Sequence, residues 1–169
     1  MISRRIICIS GFQQGLARPT GLESIWMQLR EIYSCRDSLP HCCVTLHRWN
    51  DNWRAFANHI LRTGPINPGT MDIRVVAYSW GCGYAAVRFA KALMKRGLEV
   101  QRMVFSDPVY HSWFGLWRAV WSPLIGEPKI HIPQNVGRVS YVVQREDIPH
   151  GHELVACNPS RTQIDEPLA

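Results

Sequence analysis

The chain has 169 residues, of which 46% are apolar and 19% charged, and a net charge of +6. That length suits one domain spanning residues 1–169, with a core that needs no disulfide or metal staple. The apolar content excludes a disordered chain, and no run nears the roughly 18 apolar residues of a membrane span. Basic residues are scattered, with no run longer than Arg4-Arg5 or Lys95-Arg96, and no nucleic-acid motif accompanies them. The six cysteines include the adjacent pair Cys42-Cys43 and form no C-x-x-C, so reduced thiols and a cytoplasmic location are expected. His150 and His152 alternate, but no nearby cysteine or third histidine completes a metal site.

The N-terminus places Arg4-Arg5 before Ile-Ile-Cys-Ile, like the start of a signal peptide. Its apolar run is too short and lacks a small-residue cleavage site, so residues 5–10 read as a buried first strand. A glycine-bearing loop, residues 11–20, leads to a helix over about 21–34. Leu22, Ile25, Trp26, Leu29 and Ile32 recur there at helical spacing. Cys42 to Trp49 is the second strand. Asp51 is placed to cap a second helix carrying Trp53, Phe56, Ala57, Ile60 and Leu61. Ile73 to Tyr78 is a third strand, followed by a helix over about 83–96 with Gly97 as its C-cap. Arg102 to Ser106 and Val139 to Gln144 complete the strands, and no further strand is expected. Strands alternating with helices predict βαβ units and a parallel sheet.

The segment at about 109–135 breaks this rhythm. Trp113, Trp117 and Trp121 stand at i, i+4, i+8 and share one helical face. Such an insertion, at the carboxyl end of a parallel sheet, is either a helix packed on the core or a wall over an apolar substrate pocket.

The sharpest motif is Ala77-Tyr78-Ser79-Trp80-Gly81, between an apolar strand and an alanine-rich helix. A strand that must become a helix within two residues holds the residue at the turn in a strained conformation. Bulky side chains two positions before or after it would clash. The motif resembles the nucleophile elbow G-x-S-x-G of the α/β-hydrolase superfamily, with Ala77 in place of the first glycine.

That resemblance covers about residues 5–155. It implies a reduced α/β-hydrolase-like fold: a single-domain three-layer sandwich with a five-stranded parallel sheet in the order 2-1-3-4-5. It makes Ser79 a nucleophile acting on a carboxylic ester or thioester. The N–H of Trp80 and that of Phe12 or Gln13, in the loop after the first strand, would form the oxyanion hole. The acid would be Asp107, at the end of the fourth strand, in preference to Glu146 or Asp147. The base would be His152, with His150 as the alternative, on a loop leading into a last helix. Trp113 and Trp117 would line the substrate pocket. The partner is then a small ester or acyl substrate, with no metal, organic cofactor or nucleic acid. Two other readings share this element order: a non-catalytic binding or scaffold protein on the same fold, and a flavodoxin-like nucleotide-binding module.

Overall fold

The computed structural model describes residues 3–11, 21–34, 42–65, 68–109, 129–143 and 151–168. The elements are β1 (Ser3–Ile9), α1 (Gly21–Ser34), β2 (Cys42–His47), α2 (Trp53–Thr63), β3 (Met71–Tyr78), α3 (Val87–Met94), β4 (Val100–Ser106), β5 (Ile130–Ile132), β6 (Val136–Val142), β7 (Leu154–Ala156) and β8 (Gln163–Ile164). A π-helical segment, Gly81–Ala86, leads directly into α3.

The alternation of β1 explains the layering. Ile7 and Ile9 face a core shared with Trp53, Ala57 and Ile60 of α2 and Phe89, Ala90 and Leu93 of α3. Ile6 and Cys8 face the opposite way, against Leu22, Trp26 and Leu29 of α1. Burial on both faces is why β1 reads as a continuous apolar run rather than an alternating one. β3 repeats the arrangement, with Ile73, Val75 and Ala77 on the α2/α3 side and Val76 and Tyr78 on the α1 side. The result is a three-layer α/β sandwich around a parallel sheet.

The main sheet has six strands in the order β2-β1-β3-β4-β6-β8, and its pairings are parallel. The expected 2-1-3-4-5 order is present in its first five positions, with β6 as the fifth. The expected count of five, and the expected absence of a later strand, are both corrected by β8. That strand has only two residues and no apolar period to betray it. It is fastened to β6 by Asp165, which accepts from Arg138 Nε at 2.9 and 3.0 Å and from Ser140 Oγ at 2.6 Å.

β5 and β7 form a separate two-stranded parallel sheet. β7 takes the place of the helix expected after His152. Three residues are too few for a helical face, and Leu154 is buried with Ile130 and Ile132 in the main core.

The second helix is capped by Asn52, whose side chain accepts from Ala55 N, and not by Asp51. Asp51 instead bonds the ring of His47. β2 ends at His47, two residues before the expected Trp49. Gly97, at φ +70°, closes α3 in the left-handed conformation that favours glycine. Cys8, Cys42, Cys43, Cys82 and Cys157 are free thiols. Among the described residues, no helix is long and apolar enough to cross a membrane, and no three metal-binding side chains gather.

Candidate active site

Ser79 follows the last residue of β3 and has φ +52°. Left-handed backbone costs an ordinary L-residue about 1–2 kcal/mol, so the surrounding structure must enforce it. Three hydrogen bonds do so. Ser79 N donates to Ser106 O at 3.0 Å, while Ser79 O accepts from Cys82 N at 2.9 Å and Val109 N at 3.3 Å. The turn is thereby tied to β4 and to the start of the π-helical segment.

The small residues of the motif have identifiable neighbours. Ala77 is fully buried between Ile9 of β1 and Phe105 of β4. A Cβ on Gly81 would stand 2.7 Å from Ile9 O and 2.9 Å from Ser10 O. A Cβ on Gly11 would stand 3.0 Å from Ser79 Cβ and 3.1 Å from Tyr78 O. The backbone that leaves β1 therefore passes directly against the serine. Trp80, the next residue, has helical dihedrals and directly precedes the π-helical segment. A π-helical turn of this kind recurs at functional sites.

Asp107 is the second strained residue, at φ +49°. It follows β4 as Ser79 follows β3, and Tyr78 pairs with Ser106, so the two left-handed turns stand side by side at the carboxyl edge of the sheet. Asp107 N donates to Val142 O at 2.9 Å, and its Oδ1 is buried.

His152 is brought over this turn from the far end of the chain. It is 8% exposed, and its N donates to Pro108 O at 2.6 Å. The preceding Gly151 lies so close that a Cβ there would be 3.2 Å from Asp107 Oδ1. On the other side, Glu153 O accepts from Ile130 N at 2.9 Å. His152 is thus pinned between the Asp107 turn and the small β5–β7 sheet. Ser79, Asp107 and His152, separated by up to 73 positions in the sequence, are linked at one edge through backbone hydrogen bonds of Val109 to Ser79 O and of His152 to Pro108 O. Phe12, Gln13, Trp113, Trp117, Trp121, Glu146, Asp147 and His150 lie outside the described residues.

Two features of this edge escaped the sequence. The first is a hydroxyl–imidazole–carboxylate chain at the end of β2. His47 Nε2 is 3.1 Å from Thr45 Oγ1, and His47 Nδ1 is 3.0 Å from Asp51 Oδ2. The ring lies against Phe56, with centroids 4.0 Å apart and planes tilted by 47°. Burial lowers the pKa of His47 below its ordinary value and outweighs the hydrogen bond and charge of Asp51, which act the other way. A histidine held more neutral in the folded state than in the unfolded chain stabilises fully above the unfolded value of about 6.5. That stability drains away as pH falls through 6.5 towards the lower folded value. Urea midpoints should therefore drop more between pH 7.5 and 5.5 for the wild type than for His47→Gln. An equal drop in both would remove His47 from the acid response. The Thr45-x-His47 and His47-x-x-x-Asp51 spacings are visible in the sequence, but only the folded β2 end brings them into one chain.

The second feature is an aromatic cluster beside the serine. Trp49 meets Trp80 edge-to-face at 5.4 Å and Tyr84 at 5.6 Å. Comparison with family models, curated proteins and solved structures finds no match for the chain, so the site stands on its own geometry.

Proposed function

We propose that the protein is a serine hydrolase of α/β-hydrolase-like design, cleaving a carboxylic ester or thioester through Ser79, His152 and Asp107. The observation that carries this reading is Ser79 itself: a non-glycine residue held left-handed at a strand-to-helix turn, with Gly11 packed against it. Strain of this kind persists where function uses it.

In this mechanism Ser79 Oγ attacks the acyl carbon while His152 accepts its proton. Asp107 orients the imidazole and stabilises its cation. The oxyanion is held by the N–H of Trp80 and that of Phe12 or Gln13. His152 returns the proton to the departing alcohol or thiol. Water then attacks the acyl-enzyme, again giving a proton to His152, and Ser79 recovers that proton as the acid leaves.

A fluorophosphonate probe tests the reading, because it phosphonylates only an activated serine. One adduct, mapped to Ser79 by peptide mass spectrometry and absent in Ser79→Ala, is the expected outcome. A folded wild type that stays unlabelled, while a control esterase in the same tube reacts, would assign the fold to binding or scaffolding instead.

A further inference from the structure

Trp49, Trp80 and Tyr84 come from two separate segments of the carboxyl edge. Trp49 lies two residues past β2, Trp80 directly follows Ser79, and Tyr84 lies in the π-helical segment. All three rings are partly exposed, whereas Trp53 behind them is buried. Their mutual angles of 85° and 72° are edge-to-face, the arrangement favoured by ring quadrupoles. The cluster is fixed from both sides. Trp53 Nε1 donates to Trp49 O at 3.1 Å, and the Arg88 guanidinium lies 3.8 Å over the Tyr84 ring while donating to its hydroxyl. Rigid, half-exposed aromatic surface beside a reactive residue is what an apolar ligand group needs from a binding wall.

We propose that Trp49, Trp80 and Tyr84 form the subsite for an aromatic acyl group, so that the preferred substrates are esters or thioesters of arylalkanoic acids. This rests on Ser79 being the nucleophile. In this proposal a planar ring two or three carbons from the scissile carbonyl packs edge-to-face with the cluster, in the arrangement its own rings adopt. An acetyl group reaches none of it.

The probes are p-nitrophenyl 3-phenylpropanoate and p-nitrophenyl acetate. The wild type is expected to favour the aryl ester at least tenfold in kcat/KM. Trp49→Leu and Tyr84→Leu should each cut that preference below threefold, chiefly through KM for the aryl ester. Circular dichroism and melting curves identify which variants are folded. An undiminished preference in a folded variant, or no preference in the wild type, overturns the subsite and leaves the Ser79 reading intact. If the wild type hydrolyses neither ester, 3-phenylpropanamide is titrated instead, with tryptophan fluorescence and saturation-transfer NMR as readouts. Binding that Trp49→Leu abolishes would keep the cluster as an aryl-binding surface, while its assignment to an acyl group would fall with the hydrolase reading. No binding to the wild type would overturn the subsite as well.

Discussion

Ser79→Gly is expected to yield a protein that is inactive and more stable than the wild type. The wild-type serine sits at φ +52°, where glycine has no Cβ to strain, so the substitution should stabilise by about 1 kcal/mol. For a chain of this size that raises Tm by about 2–4 °C. Turnover of p-nitrophenyl acetate should fall at least about a thousandfold, because the proposed nucleophile is gone. Ser79→Ala should be equally inactive but keep the wild-type Tm within about 1 °C, since alanine meets the same left-handed penalty. His152→Ala should cost a comparable factor in kcat. The double variant should fall no further than either single one, because residues acting as a unit are not additive. A Ser79→Gly protein that still turns over the ester removes the serine from the chemistry. A double variant whose losses multiply would show that Ser79 and His152 do not share one step. In Ser79→Gly activity and stability move in opposite directions, which general unfolding cannot imitate.

The parts of this site that local pattern controls were legible in the sequence. Tyr78-Ser79-Trp80 lies between a run of apolar residues and Ala85-Ala86, and the switch from strand to helical periodicity fixes the turn to within a residue or two. Asp107 was legible for the same reason, since Val104-Phe105-Ser106 ends abruptly at Asp107-Pro108. The left-handed backbone of Asp107 was not legible. It depends on Asp107 N reaching Val142 O, a contact made 35 positions away.

The surroundings of His152 show where local pattern fails. A last helix after His152 is expected only because the resemblance places one there, yet Leu154–Ala156 pairs with Ile130–Ile132. A three-residue strand carries too few positions for a period, and its partner decides its state. Likewise Asp51 and Asn52 are both good capping residues, and a sequence offers no way to choose between them. The fold chooses by placing His47 where Asp51 can bond it. The Trp49–Trp80–Tyr84 cluster was invisible for a related reason. Trp49 reads as the end of a strand, and its meeting with Trp80 follows from β2 and β3 flanking β1.

Gly81→Ala should be among the most damaging single-methyl changes in the chain. The added Cβ would lie 2.7 Å from Ile9 O and 2.9 Å from Ser10 O, and both are backbone atoms. Neither can retreat cheaply. Ile9 is fully buried and pairs with both His47 and Ala77, and Ser10 N is bonded to His47 O at 2.9 Å. The strand or the elbow must shift, and overpacking of this kind costs about 1–3 kcal/mol, or more where backbone must move. A loss of about 3 kcal/mol would lower Tm by about 6–12 °C. Gly21→Ala is the matched control. It starts α1, a Cβ there meets nothing within 4 Å, and alanine is a better helix former, so its Tm should hold or rise slightly. Gly11→Ala should separate stability from activity. Its Cβ would press on Ser79 Cβ at 3.0 Å and Tyr78 O at 3.1 Å, distances that a few tenths of an ångström relieve. The stability loss should therefore be smaller than for Gly81→Ala, while kcat drops at least tenfold because the relief displaces the proposed nucleophile, Ser79. A Gly81→Ala protein melting with the wild type would mean that β1 and the elbow are not held this closely. The last glycine of the motif would then owe its place to something other than the approach of Ile9 and Ser10.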